Sequence, residues 1–320
     1  MRTRGSVVVI TGASDGVGRA TALRLAQDGA AVVLAARRSE ALEEVATECR
    51  RRGGRALAVP TDVAREQAVA ALANRAVAEF GRIDAWINNA AVGIAAPFAA
   101  TPLTDIRRVV DVDVMGVVHG MQEALTQMRR QGAGVVVNVS SVLGEIPAPY
   151  AGPYSMSKAA IRALAVSVRE ELRLDGAKGI HVCTVLPPSI DTPFFGHVAN
   201  YTGRAARPIP PTYPPEQVAE AIRSVLRRPR REVVIGCVGR TLVLKHRLFP
   251  AVVEHVMGSY AGRTYLSRRR VDPTTGNLYG DDGTPPAVTG GHHGRRKTAV
   301  RKFGVFVAAG AAVAAVAGRR

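Results

Sequence analysis

Short apolar runs alternate with longer amphipathic stretches along the first 235 residues. The runs are rich in Val, Ile and Ala, as in strands covered on both faces, and the stretches between them have the helical period. The predicted strands are Val7–Ile10, Val32–Ala35, Ala56–Val59, Ala85–Ile87, Val135–Val139, His181–Val185 and Glu232–Ile235, and the predicted helices cover 17–28, 39–52, 64–80, 103–130, 154–175 and 216–227. The pattern predicts an α/β fold: a doubly wound, Rossmann-like parallel sheet of about seven strands with helices on both faces.

Two regions interrupt this alternation. Residues 193–215 are rich in proline and aromatic residues and too long for a plain connection, which predicts a lid. From about residue 266 the chain is polar and rich in glycine and proline, a composition typical of linkers. We therefore expect a single Rossmann-fold domain over 1–265, a polar linker over 266–302 and a short apolar C-terminal segment over 303–320.

The composition is that of a folded protein. Of 320 residues, 47% are apolar and 22% are charged, which excludes wholesale disorder, collagen-like repeats and a polytopic membrane protein. The three cysteines, Cys49, Cys183 and Cys237, lie far apart without a CxxC motif. No disulfide framework, zinc cluster or other metal site is therefore predicted.

The formal net charge of +17 narrows the classes of partner. Only five of the 43 basic residues are lysine, and no basic stripe interleaved with aromatic residues appears in the body of the chain. Nucleic-acid binding is therefore not expected. The positive charge is better explained by an anionic cofactor or an anionic membrane surface than by a nucleic acid.

The C-terminal segment leaves its role open. A 16-residue apolar run from Phe303 to Gly318 is bracketed by basic residues at 295–302 and 319–320. As a helix it would rise about 24 Å, less than the roughly 30 Å of a hydrocarbon core. It could pack on a partner subunit, remain poorly ordered, associate with a membrane surface, or span the membrane. Because the first strand begins at once, with no room for a signal peptide, we expect a cytoplasmic protein whose membrane association, if any, resides in 295–320.

A glycine-rich turn follows the first predicted strand and opens the first helix. In the sequence Thr11-Gly-Ala-Ser-Asp-Gly-Val-Gly18, Gly12 permits a tight turn, Gly16 permits close approach of a pyrophosphate, and Gly18 permits close helix–strand packing. The helix N-terminus offers unpaired N–H groups and a partial positive charge to phosphates. This turn predicts a dinucleotide site.

The end of the second strand favours NADP(H) over NAD(H). A carboxylate at this position would hold both hydroxyls of an NAD ribose, whereas the chain has Ala36 followed by Arg37 and Arg38. A guanidinium is a strong partner for a 2′-phosphate. A purely solvated role for these arginines is the alternative.

Tyr154 and Lys158 are four residues apart at the start of a predicted helix, which places both on one helix face. An ammonium group beside a phenol stabilises the phenolate and is expected to lower the pKa of Tyr154. Ser141 follows the strand Val135–Val139, and its hydroxyl could hold a substrate oxygen beside the phenol. Together these residues predict proton transfer to a nascent alkoxide.

These residues resemble the short-chain dehydrogenase/reductase superfamily over about residues 5–265. The matching motifs are TGASDGVG at 11–18, Asp62-Val63, NNAA at 88–91, Ser141, YSMSK at 154–158 and LPPSIDTP at 186–193. The resemblance implies that Tyr154 is the acid/base, that Lys158 tunes it and binds ribose, and that Ser141 polarises the carbonyl. It also implies that Asp62 meets the adenine, that Asn89 lies near a cofactor ribose, and that Ile190 and Thr192 touch the carboxamide or pyrophosphate. The cofactor residues are then Gly12, Ser14, Asp15, Gly16, Val17, Gly18, Arg37, Arg38, Asp62, Val63, Asn89, Ala90, Tyr154, Lys158, Pro187, Ile190 and Thr192.

Three positions depart from the family pattern. Ala91 stands where the family has glycine after Asn-Ala, and Pro188 stands where it has glycine after Pro187. Asp113 occupies the position of a fourth catalytic residue, an asparagine that acts largely through its backbone carbonyl. Aspartate keeps the carbonyl but adds a charge, so we expect activity with an altered pH dependence.

The sequence thus predicts an NADP-dependent oxidoreductase that interconverts a carbonyl and an alcohol. The alternative is a catalytically weak NADP-binding sensor or scaffold of the same fold. Aromatic residues in 193–215, among them Phe194, Phe195 and Tyr201, suggest a small apolar or aromatic substrate, although they could equally pack the lid onto the body. A homo-oligomer is also expected.

Overall fold

The computed structural model describes residues 1–292 and 296. Its centre is a seven-stranded parallel sheet of β1 (Val7–Thr11), β2 (Ala31–Ala36), β3 (Arg55–Pro60), β4 (Ala85–Asn88), β6 (Gly134–Val139), β7 (Ile180–Leu186) and β10 (Glu232–Val234). Across the sheet the strands lie in the order β10-β7-β6-β4-β1-β2-β3. The predicted fold class and the positions of all seven strands are confirmed.

Alternate residues of each strand enter two separate cores. Val7 and Val9 face a core shared with α3 (Glu66–Phe80), α5 (Gly116–Gln131) and α6 (Gly152–Leu174). Val8 and Ile10 face the other core, and the helices there are α1 (Gly16–Gln27), α2 (Ser39–Arg51) and α8 (Pro215–Arg227). Because both faces are buried, the strands are apolar throughout rather than alternating.

The predicted helix over 103–130 is interrupted. It consists of α4 (Leu103–Val109), a π-helical turn (Val110–Met115) and then α5. A π turn inserts an extra residue and changes which side chains share a face. Here it carries the buried Asp113 toward α6.

The predicted lid region has its own short elements. It contains α7 (Phe194–His197), β8 (Ala199–Asn200) and β9 (Arg204–Ala206). β8 pairs with β5 (Ile94–Ala95), and β9 pairs with β11 (Leu266–Arg270). Two helices that the sequence pattern did not predict, α9 (Cys237–Leu248) and α10 (Pro250–Thr264), precede β11.

The part of the predicted linker that the structure describes lies against the domain. We call residues 276–292 the strap. Its Leu278 is fully buried in the core on the α3 side, and Val288 packs against the other core. A composition rich in glycine and proline indicates irregular backbone, but it does not reveal whether that backbone is solvated or docked.

The apolar segment 303–320 lies outside the described residues. Within the described residues, no helix is long and apolar enough to cross a membrane. No group of three or more His, Cys, Asp or Glu side chains is placed to hold a metal ion in that same part of the chain. All three cysteines are free thiols.

Candidate active site

The glycine-rich turn forms a tight cradle between β1 and α1. Gly12 has φ of +65°, and a Cβ at Gly18 would lie 2.0 Å from the carbonyl oxygen of Gly12. Asp15 caps α1, with its Oδ1 accepting from the Gly16 amide at 2.9 Å. The cradle therefore requires glycine at positions 12 and 18, as the motif predicted.

Asn89, the residue after β4, stabilises this cradle. Its Nδ2 donates to the carbonyl oxygens of Thr11 and Gly12, at 2.9 and 3.2 Å. The hydroxyl of Thr11 accepts from the amides of Asn89 and Ala90. The side-chain amide of Asn89 thus fixes the turn, and Asn89 also lines the adjoining cavity.

Charged groups cluster at the ends of β2 and β3. Arg108, which the sequence analysis missed, donates to Asp62 Oδ2 at 2.9 Å. Burial would raise the pKa of Asp62, but the hydrogen bonds from Arg108 and from the Ala64 amide lower it overall. Burial, aided by the charges of Arg108 and Arg38, lowers the pKa of Arg37. No spacing signal marked Arg108, because it comes from α4, more than 40 residues after Asp62.

Two adjoining cavities contain most of the predicted site residues. One, of about 320 Å³, lies at the ends of β2 and β3, and a second, of about 480 Å³, lies beside Tyr154. They share Gly12, Ser14, Ala90, Ala91 and His197 in their walls. The first is also lined by Arg37, Arg38, Asp62 and Val63, and the second by Asp15, Gly16, Val17, Asn89, Ser141, Tyr154, Lys158, Pro187, Ile190 and Thr192. Gly18 and Asp113 line neither cavity.

Ser141, Tyr154 and Lys158 meet on one wall of the larger cavity. Ser141 ends the loop after β6, and its side chain is hydrogen-bonded to Tyr154. Lys158, one turn further along α6, places its Nζ 5.2 Å from the centre of the Tyr154 ring and 3.5 Å from the carbonyl oxygen of Val139. The predicted trio is therefore assembled by the end of one strand and the start of one helix.

Asp113 lies directly behind this trio. It is 0% exposed, and its Oδ1 accepts from the Val92 amide at 2.8 Å. Its Oδ2 accepts from Ser157 Oγ at 3.0 Å and lies 3.4 Å from Lys158 Nζ. Burial raises the pKa of Asp113, while the charge of Lys158 acts in the opposite direction. The contact between Ser157 and Asp113 was not predicted from the sequence.

The protein groups around Tyr154 raise the pKa of its phenol. Burial is the largest cause and the charge of Asp113 the second, whereas the hydrogen bond with Ser141 lowers the pKa. This direction differs from the lowered pKa expected from Lys158 alone. Burial of the phenol is the main reason, and a carboxylate 3.4 Å from the Lys158 ammonium group also offsets its positive charge; the Tyr–Lys spacing could reveal neither.

Apolar side chains form the outer wall of the larger cavity. The ring of Phe194 lies 5.4 Å from that of Tyr154, and Tyr265 is buried in the same wall. Helices α9 and α10 contribute Leu242 and Met257. The lid region and these two helices therefore enclose the phenol in an apolar chamber.

The strap forms the outer wall of the smaller cavity. Arg37 donates to the carbonyl oxygens of Asn277 and Leu278, at 2.6 and 3.4 Å. Arg38 donates to that of Thr284 at 2.7 Å. Asn277, Tyr279, Gly280, Asp281 and Asp282 line the cavity opposite the β2 end.

Comparison with known proteins identifies the family. The family model for short chain dehydrogenases matches residues 6–201. The chain belongs to the short-chain dehydrogenase family. It is 34% identical over 274 residues to the uncharacterized oxidoreductase YxnA of Bacillus subtilis (strain 168), covering 85% of this chain and 77% of that protein. It is 40% identical over 238 residues to cis-4-hydroxycyclohexanecarboxylate dehydrogenase of Sinomonas cyclohexanicum, covering 72% of this chain and 93% of that enzyme.

Solved structures agree with this assignment. A short-chain dehydrogenase/reductase from Burkholderia phymatum in complex with NAD superimposes with a TM-score of 0.69 at 26% identity, covering 86% of this chain and 99% of that one. An alcohol dehydrogenase from Thermococcus sibiricus complexed with 5-hydroxy-NADP gives a TM-score of 0.62 at 27% identity, covering 72% of this chain and 95% of that one. The protein is thus an oxidoreductase of a family whose members bind NAD or NADP and act on small carbonyl or alcohol substrates.

Proposed function

We propose that this protein is an NADP-dependent oxidoreductase that interconverts a carbonyl and an alcohol, with Tyr154 as general acid/base. The observation that carries the proposal is the position of Ser141, Tyr154 and Lys158 on the wall of a cavity that also reaches the glycine cradle. A chain of this family with those three side chains in one wall has the groups that carbonyl reduction requires.

The described residues fit a dinucleotide. The cradle has no room for a Cβ at Gly18, and its helix N-terminus suits a pyrophosphate. Arg37 and Arg38 at the smaller cavity support binding of a 2′-phosphate, and hence NADP over NAD. When bound, the nicotinamide ring supplies or accepts the hydride.

The side chains around the phenol divide the remaining work. Tyr154 holds the proton that the substrate oxygen receives on reduction and accepts it on oxidation. Ser141, hydrogen-bonded to the phenol, orients the same oxygen. Lys158 stabilises the phenolate, and Asp113 moderates that effect through its contact with Nζ. The apolar wall excludes water from the reacting oxygen.

The cavity wall supports a compact apolar alcohol or ketone as substrate. Phe194, Phe195, Leu242 and Met257 offer contact area without a charged side chain. A relative that is 40% identical is named cis-4-hydroxycyclohexanecarboxylate dehydrogenase, so alicyclic and aromatic secondary alcohols are our first choice.

The test of this function is NADPH and NADH oxidation with a panel of alicyclic, aromatic and linear ketones and aldehydes. We expect turnover with NADPH and a cyclic or aromatic ketone, and a lower kcat/KM with NADH. Asp113 beside Lys158 favours one second candidate, the catalytically weak NADP-binding sensor. The sensor would be established instead if the wild type binds the dinucleotide but turns over no substrate of the panel, and if Asp113→Asn strongly increases turnover.

The remaining expectations concern assembly and location. We propose a catalytic domain over 1–265 that β11 and the strap complete, homo-oligomeric and cytoplasmic, with any membrane association carried by 295–320. Sedimentation and cell fractionation of the full chain and of a chain ending at residue 292 test this. Identical partitioning of the two chains would rule out the segment as an anchor.

A further inference from the structure

The strap bridges three parts of the proposed dinucleotide site. At its start, Arg37 and Arg108 donate to the carbonyl oxygen of Leu278, and the Leu278 side chain is 0% exposed. In its middle, Arg38 donates to Thr284. At its end, the amides of Gly290 and His292 donate to Asp191 Oδ1, at 3.1 and 2.8 Å.

The strap also pairs with the glycine cradle itself. The amide of Ala287 donates to Asp15 Oδ1 at 2.9 Å, and the Gly16 amide donates to the carbonyl oxygen of Ala287 at 2.9 Å. Nearby, a Cβ at Gly290 would lie 2.2 Å from the carbonyl oxygen of Thr192. Backbone contacts this close hold the strap directly over the turn that suits a pyrophosphate.

A histidine joins the strap, the lid and the cradle. His197 on α7 is buried, and its Nδ1 lies 2.6 Å from Asp282 Oδ2 while its Nε2 lies 3.0 Å from Asp15 Oδ2. A protonated imidazole donates to both carboxylates at once. We call this group, His197 with Asp15 and Asp282, the latch.

We propose that the strap is part of the cofactor site and encloses the bound dinucleotide, so that the cofactor exchanges only when the strap opens, and that Asp282 positions the strap through the latch. The proposal rests on the proposed function, because it needs a dinucleotide in the cavities. The strap lies beyond residue 201, where the match to the family model ends.

The geometry favours enclosure over blockage. A cavity of about 320 Å³ remains between the strap and the β2 end, and it adjoins the larger one at His197. Arg37 gives two hydrogen bonds to strap carbonyls out of the five N–H groups of a guanidinium, so donors remain for a phosphate. Over the smaller cavity the strap thus leaves space and guanidinium donors for a ligand. At the cradle the Gly16 amide is bonded to Ala287, so a pyrophosphate needs this contact to open before that amide can bind it.

The first test is the dissociation rate of NADPH, measured by stopped-flow fluorescence during displacement with excess NADP. Asp282→Ala should release NADPH about tenfold faster or more, because it removes the strap's partner of His197 and so favours the open strap from which the cofactor leaves. The matched control is Asp272→Ala, which removes an exposed aspartate just before the strap and should leave the rate unchanged.

A second variant loosens the strap without touching a charge. Gly290→Ala places a methyl group against the Thr192 carbonyl and should also speed release, with increased hydrogen exchange across 277–292. This variant keeps the proposal testable if Asp282→Ala folds poorly.

The latch also predicts a pH dependence of release. The hydrogen bond with Asp15 raises the pKa of His197, burial opposes this, and Asp282 raises it further. In the described part of the chain, Arg38, 3.8 Å from Asp15, is a further charged group beside the latch. Since the folded pKa exceeds the ordinary value of about 6.5, latch stabilisation is complete below that value and is lost as pH rises through the folded pKa. Release should accelerate over that range in the wild type and less so in Asp282→Ala.

The outcomes separate the two proposals. Wild-type release rates in both Asp282→Ala and Gly290→Ala, with NADPH bound and turned over normally, would overturn the strap proposal and leave the proposed function intact. A wild-type protein that binds neither NADPH nor NADH would overturn both.

Discussion

The two adjoining cavities are covered by structures of opposite chemistry. Over the smaller cavity, the strap is held by backbone carbonyls, guanidinium groups and the latch of His197 with Asp15 and Asp282. Over the larger cavity, the wall consists of aromatic and aliphatic side chains such as Phe194 and Leu242. Directional polar contacts specify one closed position, whereas an apolar wall tolerates differences of ligand shape. The proposed cofactor end is therefore built for one ligand and the substrate end for a class of ligands.

Removal of the phenol gives the largest expected effect, and it acts on the substrate end alone. Tyr154→Phe should lower kcat by about a hundredfold to ten-thousandfold, the usual contribution of a general acid, while the Kd for NADPH stays within a few-fold. The measurements are steady-state kinetics and fluorescence titration. Tyr265→Phe is the matched variant, because that phenol is buried in the same wall. A larger loss of kcat in Tyr265→Phe than in Tyr154→Phe would show that Tyr154 is not the general acid.

A substitution at the smaller cavity should alter cofactor choice and leave the substrate end unchanged. Arg37→Asp replaces a cation with a carboxylate and should shift the NADPH/NADH ratio of kcat/KM toward NADH by about tenfold or more. Because Arg37 also holds the strap, Arg108→Ala is needed for comparison, since it removes another donor to the Leu278 carbonyl. Arg108→Ala should weaken the binding of NADPH and of NADH to the same extent. An unchanged ratio in Arg37→Asp would show that Arg37 serves the strap rather than a 2′-phosphate.

Asp113 offers a smaller effect, which appears in the pH profile. Its charge raises the pKa of Tyr154, so Asp113→Asn should move the rise of alcohol oxidation with pH to lower pH, because oxidation needs the phenolate as base. The near-isosteric amide should leave the fold intact. Asp111→Asn, an exposed residue in the same π turn, is the control and should keep the wild-type midpoint. A midpoint that stays put or moves to higher pH in Asp113→Asn would contradict this account of the charge.

The sequence predicted the elements whose signals are local. Buried parallel strands have unbroken apolar runs, so the seven strands of the main sheet were predicted from this pattern alone. The cradle was predicted because its backbone leaves no room for a side chain at positions 12 and 18, which therefore have to be glycine. Ser141, Tyr154 and Lys158 were predicted to act together from spacing and resemblance, and the structure brings them to one wall.

The parts that were missed lack such signals. The strap is held by its backbone, by close approach at Gly290 and by the side chains of Leu278 and Asp282, none of which produces a periodic pattern. The contact between Ser157 and Asp113 depends on a π turn that changes the helical phase, and a regular period cannot predict it. The lowered pKa expected for Tyr154 rested on Lys158, whereas burial, the largest cause, and the charge of Asp113 raise it, and neither can be read from the Tyr–Lys spacing.

The smallest expected effect tests the tolerance of the apolar wall. Leu242 lines the larger cavity from α9, and Leu242→Ala removes contact area without touching the strap or the phenol. At about 0.8 kcal/mol per buried CH₂, a partial loss of contact should raise KM for a cyclic ketone by roughly threefold to tenfold, with KM for NADPH unchanged. Leu244→Ala is the matched control, since Leu244 lies on the same helix but is 61% exposed. If Leu242→Ala changed KM for NADPH as much as KM for the ketone, the two ends of the cleft would not be independent, and the contrast between a specific polar cover and a tolerant apolar one would fail.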